Sequence, residues 1–134
     1  MKIGIIDADL IGKKKHTDKI PKFYCFCAYN HAEPDKYTAE FWVKDVVDLF
    51  ERIRILVEHH SLPYVMRYKD YVLSPYKGIY ITASRWCNQP AFIKKKSFRE
   101  FCEANGETSS AMRYLRDFEE EHPDIAGKYF DMKW

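Results

Sequence analysis

The spacing of apolar and polar positions changes period several times along the chain, and each change marks an expected element. Lys2 to Asp7 carries Ile3, Ile5 and Ile6 around Gly4 and reads as a short buried strand, with Ile3 to Ile6 expected at the centre of a sheet. A long polar loop follows. Phe23 to Tyr29 (FYCFCAY), entered after Pro21, is aromatic and β-prone enough for a second strand. From about Pro34 to His60 the period lengthens: Trp42 or Val43, Val46, Phe50, Ile53 and Val57 recur at spacings of three and four, the stripe of an amphipathic helix. Pro34 suits its first turn, Asp35 and Glu40 its positive end, and His59 and His60 its negative end, before Pro63 forbids continuation.

Residues 64–73 (YVMRYKDYVL) and 79–84 (IYITAS) are rich in Tyr, Val and Ile, and SPYKG at 74–78 places Pro and then Gly between them. The pattern predicts a hairpin with Ile79, Ile81 and Ala83 on one face. Beyond Pro90, Ser97 and Glu100 match a capping box that opens a helix to about Asn105, with Gly106 as its stop. Thr108 or Ser109 then caps another helix whose buried stripe is Met112, Leu115 and Phe118 and which ends at Pro123; a last turn or two covers Asp124 to Phe130. Together these elements predict a single α+β or small α/β domain spanning residues 1–134. In it a mixed sheet of three to five strands packs on the long helix of residues 35–60, and the last third is helical.

The chain has 134 residues, 46% of them hydrophobic and 31% charged, which is enough for a core without disulfide or metal staples. No apolar run approaches the roughly 18 residues that span a bilayer. Asp7 and Asp9 interrupt the first apolar stretch and no cleavage site follows it, so neither a membrane segment nor a secretory signal is expected and the expected compartment is the cytoplasm. Cys25, Cys27, Cys87 and Cys102 show no CxxC spacing and read as reduced, buried thiols.

A net charge of +2 conceals a segregation: residues 61–100 carry 8 Lys and Arg against 2 Asp and Glu, whereas residues 101–134 carry 4 against 8. Aromatic residues make up 16%, with ten tyrosines, more than a core of this size needs. Exposed rings beside cations favour binding surfaces.

The stretch IIDADL sets Asp7 and Asp9 just past a strand, where α/β folds place acids that hold Mg²⁺ or Mn²⁺ or activate a phosphoryl group. A hydrophobic run followed by DxD resembles the first motif of haloacid-dehalogenase-like phosphatases, although Leu10, Ile11 and Gly12 stand where that family has small and hydroxyl residues. Asp7 and Asp9 are therefore the catalytic and metal-ligating candidates of a metal-dependent phosphoesterase or nuclease; the alternative is that they bind loop amides and cap the turn. The opening MKIGIIDADLIG, with the basic residues and His16 after it, resembles the N-terminus of radical-SAM proteins with a cobalamin-binding-like domain, common among phage and gut-bacterial sequences. The likeness covers residues 1–16. It implies a Rossmann-like first strand and a phage-type source; the CxxxCxxC motif of that family is absent, so its radical chemistry is not implied.

Glu58, His59 and His60 are adjacent, but neighbours on a helix point about 100° apart and seldom share one ion. No GxSxG elbow and no glycine-rich phosphate loop occur. Basic clusters are better represented: Lys13, Lys14 and Lys15 in the first loop, and Lys94, Lys95, Lys96 and Arg99 before the second helix. Arg67, Tyr68, Arg85 and Trp86 extend the second group into a mixture of cations and rings that suits single-stranded nucleic acid. SFREFCEANGETSSAMRYLRDF fits a helix-turn-helix frame poorly, because Glu107 follows the glycine and Glu119 to Glu121 would repel a duplex.

The expected function is thus a small non-enzymatic binding or inhibitor protein, of the kind phages encode as accessory or anti-defence factors, with no cofactor. Its basic, Tyr-rich surface would engage nucleic acid or a nucleic-acid-processing protein. The alternatives are the metal-dependent enzyme above and a module for a small nucleotide-like ligand.

Overall fold

The computed structural model describes residues 2–5 and 23–29 as backbone and residues 37–134 in full. Its elements are β1 (Lys2–Ile5), β2 (Phe23–Tyr29), α1 (Ala39–Glu58), β3 (Leu62–Arg67), a 3-10 turn (Lys69–Leu73), α2 (Lys77–Cys87), α3 (Pro90–Ile93), α4 (Phe98–Ala104), α5 (Ser110–Glu121) and α6 (Pro123–Tyr129).

The expected fold class is overturned. Residues 37–134 are 67% helical and contain one strand, so the fully described part of the chain is mostly helical and not the sheet-based α+β or α/β domain expected. The hairpin is where the expectation fails. Residues 64–73 divide between β3 and the 3-10 turn, and residues 79–84 lie inside α2. In α2 the buried residues Ile79, Ala83 and Trp86 follow a period of three to four, with Tyr80 and Cys87 beside them, while Ile81 is only half-buried. The alternation of Ile79, Ile81 and Ala83 has no structural counterpart. β1 and β2 accompany β3 in the order β1-β2-β3, with β1 antiparallel to β2 and β2 parallel to β3. That order puts Lys2–Ile5 at the rim, so the central position expected for Ile3 to Ile6 is also corrected. The outer edge of β3 is closed by a side chain: the Val65 N–H donates to Asn88 Oδ1 at 2.7 Å, and Asn88 Nδ2 donates to the Val65 carbonyl at 2.9 Å. An amide that pairs like a short strand blunts an edge that would otherwise recruit another chain.

Helices supply the core. Phe98 packs against Phe130 at 5.0 Å, Phe50 at 5.1 Å and Trp86 at 5.6 Å, tying α4, the end of α6, α1 and α2 together. From β3, Val65 joins the buried apolar cluster. α1 keeps the expected stripe of Trp42, Val46, Phe50, Ile53 and Val57, but starts at Ala39, after the cap Thr38, whose side chain accepts from the Phe41 N–H at 3.1 Å. Pro34 and Asp35 lie outside the described residues. α4 begins with the expected capping box, in which Ser97 accepts from the Glu100 N–H at 3.1 Å and Glu100 accepts from the Ser97 N–H at 2.9 Å. Gly106, at φ 108°, ends that segment in the backbone region glycine favours. α5 is capped by Ser109 and buries Met112, Leu115 and Phe118. α4 and α5 therefore form a helical hairpin.

α2 and α5 approach closely because Gly78 has no side chain. A Cβ there would fall inside the Tyr114 ring, against Cγ, Cδ1 and Cδ2. One buried polar contact crosses between α1 and α2: the Tyr80 hydroxyl donates to Asp45 at 2.5 Å. Burial and the Asp45 charge both push the Tyr80 hydroxyl pKa far up, so it stays a donor.

Candidate nucleic-acid interface

Three segments distant in sequence meet at one corner: the end of α1, the turn after α3 and the C-terminal residues. α1 closes with a backbone pattern usually reserved for glycine. The His60 N–H donates to the Val57 carbonyl at 3.0 Å and the Ser61 N–H to the Leu56 carbonyl at 2.8 Å, while His60 itself sits at φ 53°. This is a Schellman closure with histidine in the left-handed position. The same geometry brings the His60 ring edge-on to the Trp134 indole, at 5.4 Å.

Lys94 also places its ammonium 5.4 Å from the centre of the Trp134 ring. Such a contact is favourable because the ring face is electron-rich. The lysine turn is held from below: main-chain donors of Lys95 and Lys96 reach the Phe92 carbonyl at 3.1 and 2.8 Å, and the buried Trp86 Nε1 donates to the Lys96 carbonyl at 2.9 Å. Lys94 and Lys95 are exposed and Lys96 half-buried. Among the described residues none of the three forms an ion pair with a carboxylate. Lys133 is paired instead, to Glu100 at 3.0 Å. The Ser97 N–H and then Lys133 hold the Glu100 carboxyl below its usual range, so capping and charge pairing reinforce each other. The C-terminal segment is further fixed by the Arg99 N–H, which donates to the Phe130 carbonyl at 2.9 Å.

The predicted binding residues divide among several settings. Trp86 is corrected from a surface ring to a core side chain, 1% exposed, that supports the lysine turn. Arg99 is corrected from a free cation to a paired one: it bridges Glu119 and Asp131, the latter at 2.7 Å, and these bonds raise its pKa further. Tyr68 is half-buried and stacks on Trp42 at 6.4 Å, with its hydroxyl pKa pushed up first by burial and then by Asp45. Arg67 remains exposed and lies over the Tyr71 ring at 4.9 Å. Arg85, also exposed, lies over Phe101 at 5.6 Å and donates to Asn105 at 3.1 Å. Lys13, Lys14, Lys15, Asp7 and Asp9 lie outside the described residues. Neither His60 nor Trp134 stands out in the sequence as part of this group, since the contact joins positions 60, 94 and 134.

The remaining chemistry is limited in kind. Burial pushes the Cys102 thiol up to about 12 and the Cys87 thiol well above its ordinary value, so both stay protonated at neutral pH and are poor nucleophiles. Among the described residues no three His, Cys, Asp or Glu side chains are grouped to hold a metal ion, and no helix is long and apolar enough to cross a membrane. No protein-family model, curated protein or solved structure matches the chain.

Proposed function

We propose that the chain is a non-enzymatic binding module that engages single-stranded nucleic acid at the Trp134 corner. The observation that carries this reading is the partly exposed Trp134 ring contacted by His60 and by the Lys94 ammonium, with Lys95 and Lys96 following in the same turn. Each part answers one need of the ligand. An aromatic face stacks on any base and contributes about 1–3 kcal/mol per base, while unpaired ammonium groups meet the phosphates and release their counterions. The positive excess of residues 61–100 raises the local potential in the same region of sequence.

The test is fluorescence anisotropy of a labelled single-stranded oligonucleotide over a range of salt concentrations. Each phosphate contact contributes about 0.7 to the slope of log K against log salt for single strands, so K94A/K95A lowers the slope magnitude by about 1.4. Binding that is insensitive to salt, or a slope that the double variant leaves intact, contradicts the proposal.

A further inference from the structure

β3 leaves the Trp134 corner directly: it starts at Leu62, preceded by His60 and Ser61, the residues that close α1. Along it Pro63 and Val65 are buried, whereas Tyr64 and Met66 alternate with them and stand 41% and 40% exposed. Among the described residues the Tyr64 side chain has neither a ring partner nor a hydrogen bond. Arg67 ends the strand, exposed and laid over the Tyr71 ring at 4.9 Å, and Lys69 follows, exposed as well. Among the described residues neither cation forms an ion pair. No acidic residue lies between His59 and Lys69, and Asp70, the first beyond them, is engaged by the Tyr37 hydroxyl, which donates to it at 2.7 Å.

We propose that a single-stranded nucleic acid bound at the Trp134 corner continues along the exposed face of β3, with Tyr64 as a second stacking ring and Arg67 as a further phosphate contact. The inference rests on the corner reading above and extends it from one ring to a track. A strand rises about 3.3 Å per residue, so Tyr64 stands roughly 10 Å from the corner and Arg67 roughly 10 Å beyond Tyr64. Cations then mark both ends, Lys94 and Lys95 at the corner and Arg67 and Lys69 at the far end, with an exposed ring between them. That order matches a polyanion whose bases are free of pairing: rings take the base faces and cations the phosphates. Tyr64 suits the role because a tyrosine ring offers a large face at low cost in conformational freedom and keeps its hydroxyl in water.

Two ligand lengths separate the track from the corner: a dinucleotide, which occupies the corner alone, and a labelled strand of about twelve nucleotides, within the site sizes such modules cover. Tyr64→Ala weakens the longer strand about tenfold, the effect of losing one stacked base, and leaves the dinucleotide, followed by tryptophan emission, unchanged. Tyr64→Phe keeps the ring and binds the longer strand as the parent does. Arg67→Gln lowers the slope magnitude of log K against log salt by about 0.7 for the longer strand. Ile55→Ala removes an exposed apolar side chain from α1 and provides the control, and far-UV circular dichroism melts confirm that the variants fold. Undiminished binding of the longer strand by Tyr64→Ala, while K94A/K95A weakens it, overturns the track and keeps the corner. Equal weakening of both lengths by Tyr64→Ala, or equal weakening by Ile55→Ala, also overturns the track. A parent that binds neither length overturns both readings.

Discussion

His60 stands at φ 53°, a backbone region that glycine enters freely and that costs an L-residue about 1–2 kcal/mol. The ring recovers part of that cost through its edge-on contact with Trp134 at 5.4 Å, a kind of contact that contributes about 0.5–1.5 kcal/mol. Two substitutions separate these effects. His60→Ala removes the ring and keeps the backbone cost, so it lowers stability by about 1 kcal/mol. His60→Gly also removes the ring but relieves the backbone, and it returns to within about 0.5 kcal/mol of the parent once the added freedom of the unfolded chain is included. Glycine is therefore more stable than alanine by about 1 kcal/mol, a gap of roughly 3–4 °C in melting temperature for a chain of this size. Urea denaturation with a common slope, supported by thermal melts, measures the difference. Equal stabilities, or a more stable alanine variant, refute the reasoning. If Trp134 stacks on bases as proposed, both variants weaken oligonucleotide binding, so the glycine variant separates stability from binding.

Gly78→Ala forces α5 away, because its Cβ would sit inside the Tyr114 ring instead of at the usual contact distance of about 3.5–4 Å. Overpacking of about 3 kcal/mol, less about 1 kcal/mol of gained helix propensity, leaves a net loss of about 2 kcal/mol; in a Tyr114→Ala background the same change becomes stabilising, and a thermal-melt double-mutant cycle shows the sign reversal. Tyr80→Phe leaves the buried Asp45 without the donor at 2.5 Å and costs about 1–3 kcal/mol by urea denaturation; a loss below about 0.5 kcal/mol contradicts the assignment. Arg54 and then Tyr129, whose hydroxyl donates at 2.6 Å, hold the Glu51 carboxyl down to about 2 from 4.5. A lowered carboxyl stabilises the fold above its unfolded value and ceases to do so as pH falls through its folded value. Tyr129→Phe thus costs about 0.5–1 kcal/mol at neutral pH, after allowance for partial exposure, and the gap closes between pH 4.5 and about 2 in acid titrations followed by circular dichroism.

Local signals identified α1, the Ser97 capping box, the Gly106 stop and the stripe of α5, because each is a relation among residues within one or two turns. α2 was not legible. IYITAS alternates and is rich in Ile and Thr, so its propensity favours a strand, whereas tertiary packing of Ile79, Ala83 and Trp86 into a helical core decides the outcome. Gly78 looks like a turn residue in sequence but is a packing residue, and Tyr114, which explains it, lies 36 positions away. The same distance effect shaped the site. Arg99 looks free until Glu119 and Asp131 are brought beside it, and Trp134 looks incidental until His60 and Lys94 converge on its ring. A cluster of lysines is visible in sequence; which cations are already neutralised is a property of the fold.

Tryptophan emission during titration with a single-stranded oligonucleotide tests the central claim most directly. Trp42 and Trp86 are 3% and 1% exposed, whereas Trp134 is half-exposed, so base stacking quenches Trp134 selectively. The account predicts saturable quenching that weakens with salt and disappears in Trp134→Phe. Unchanged emission on titration, or quenching that persists in Trp134→Phe, contradicts it.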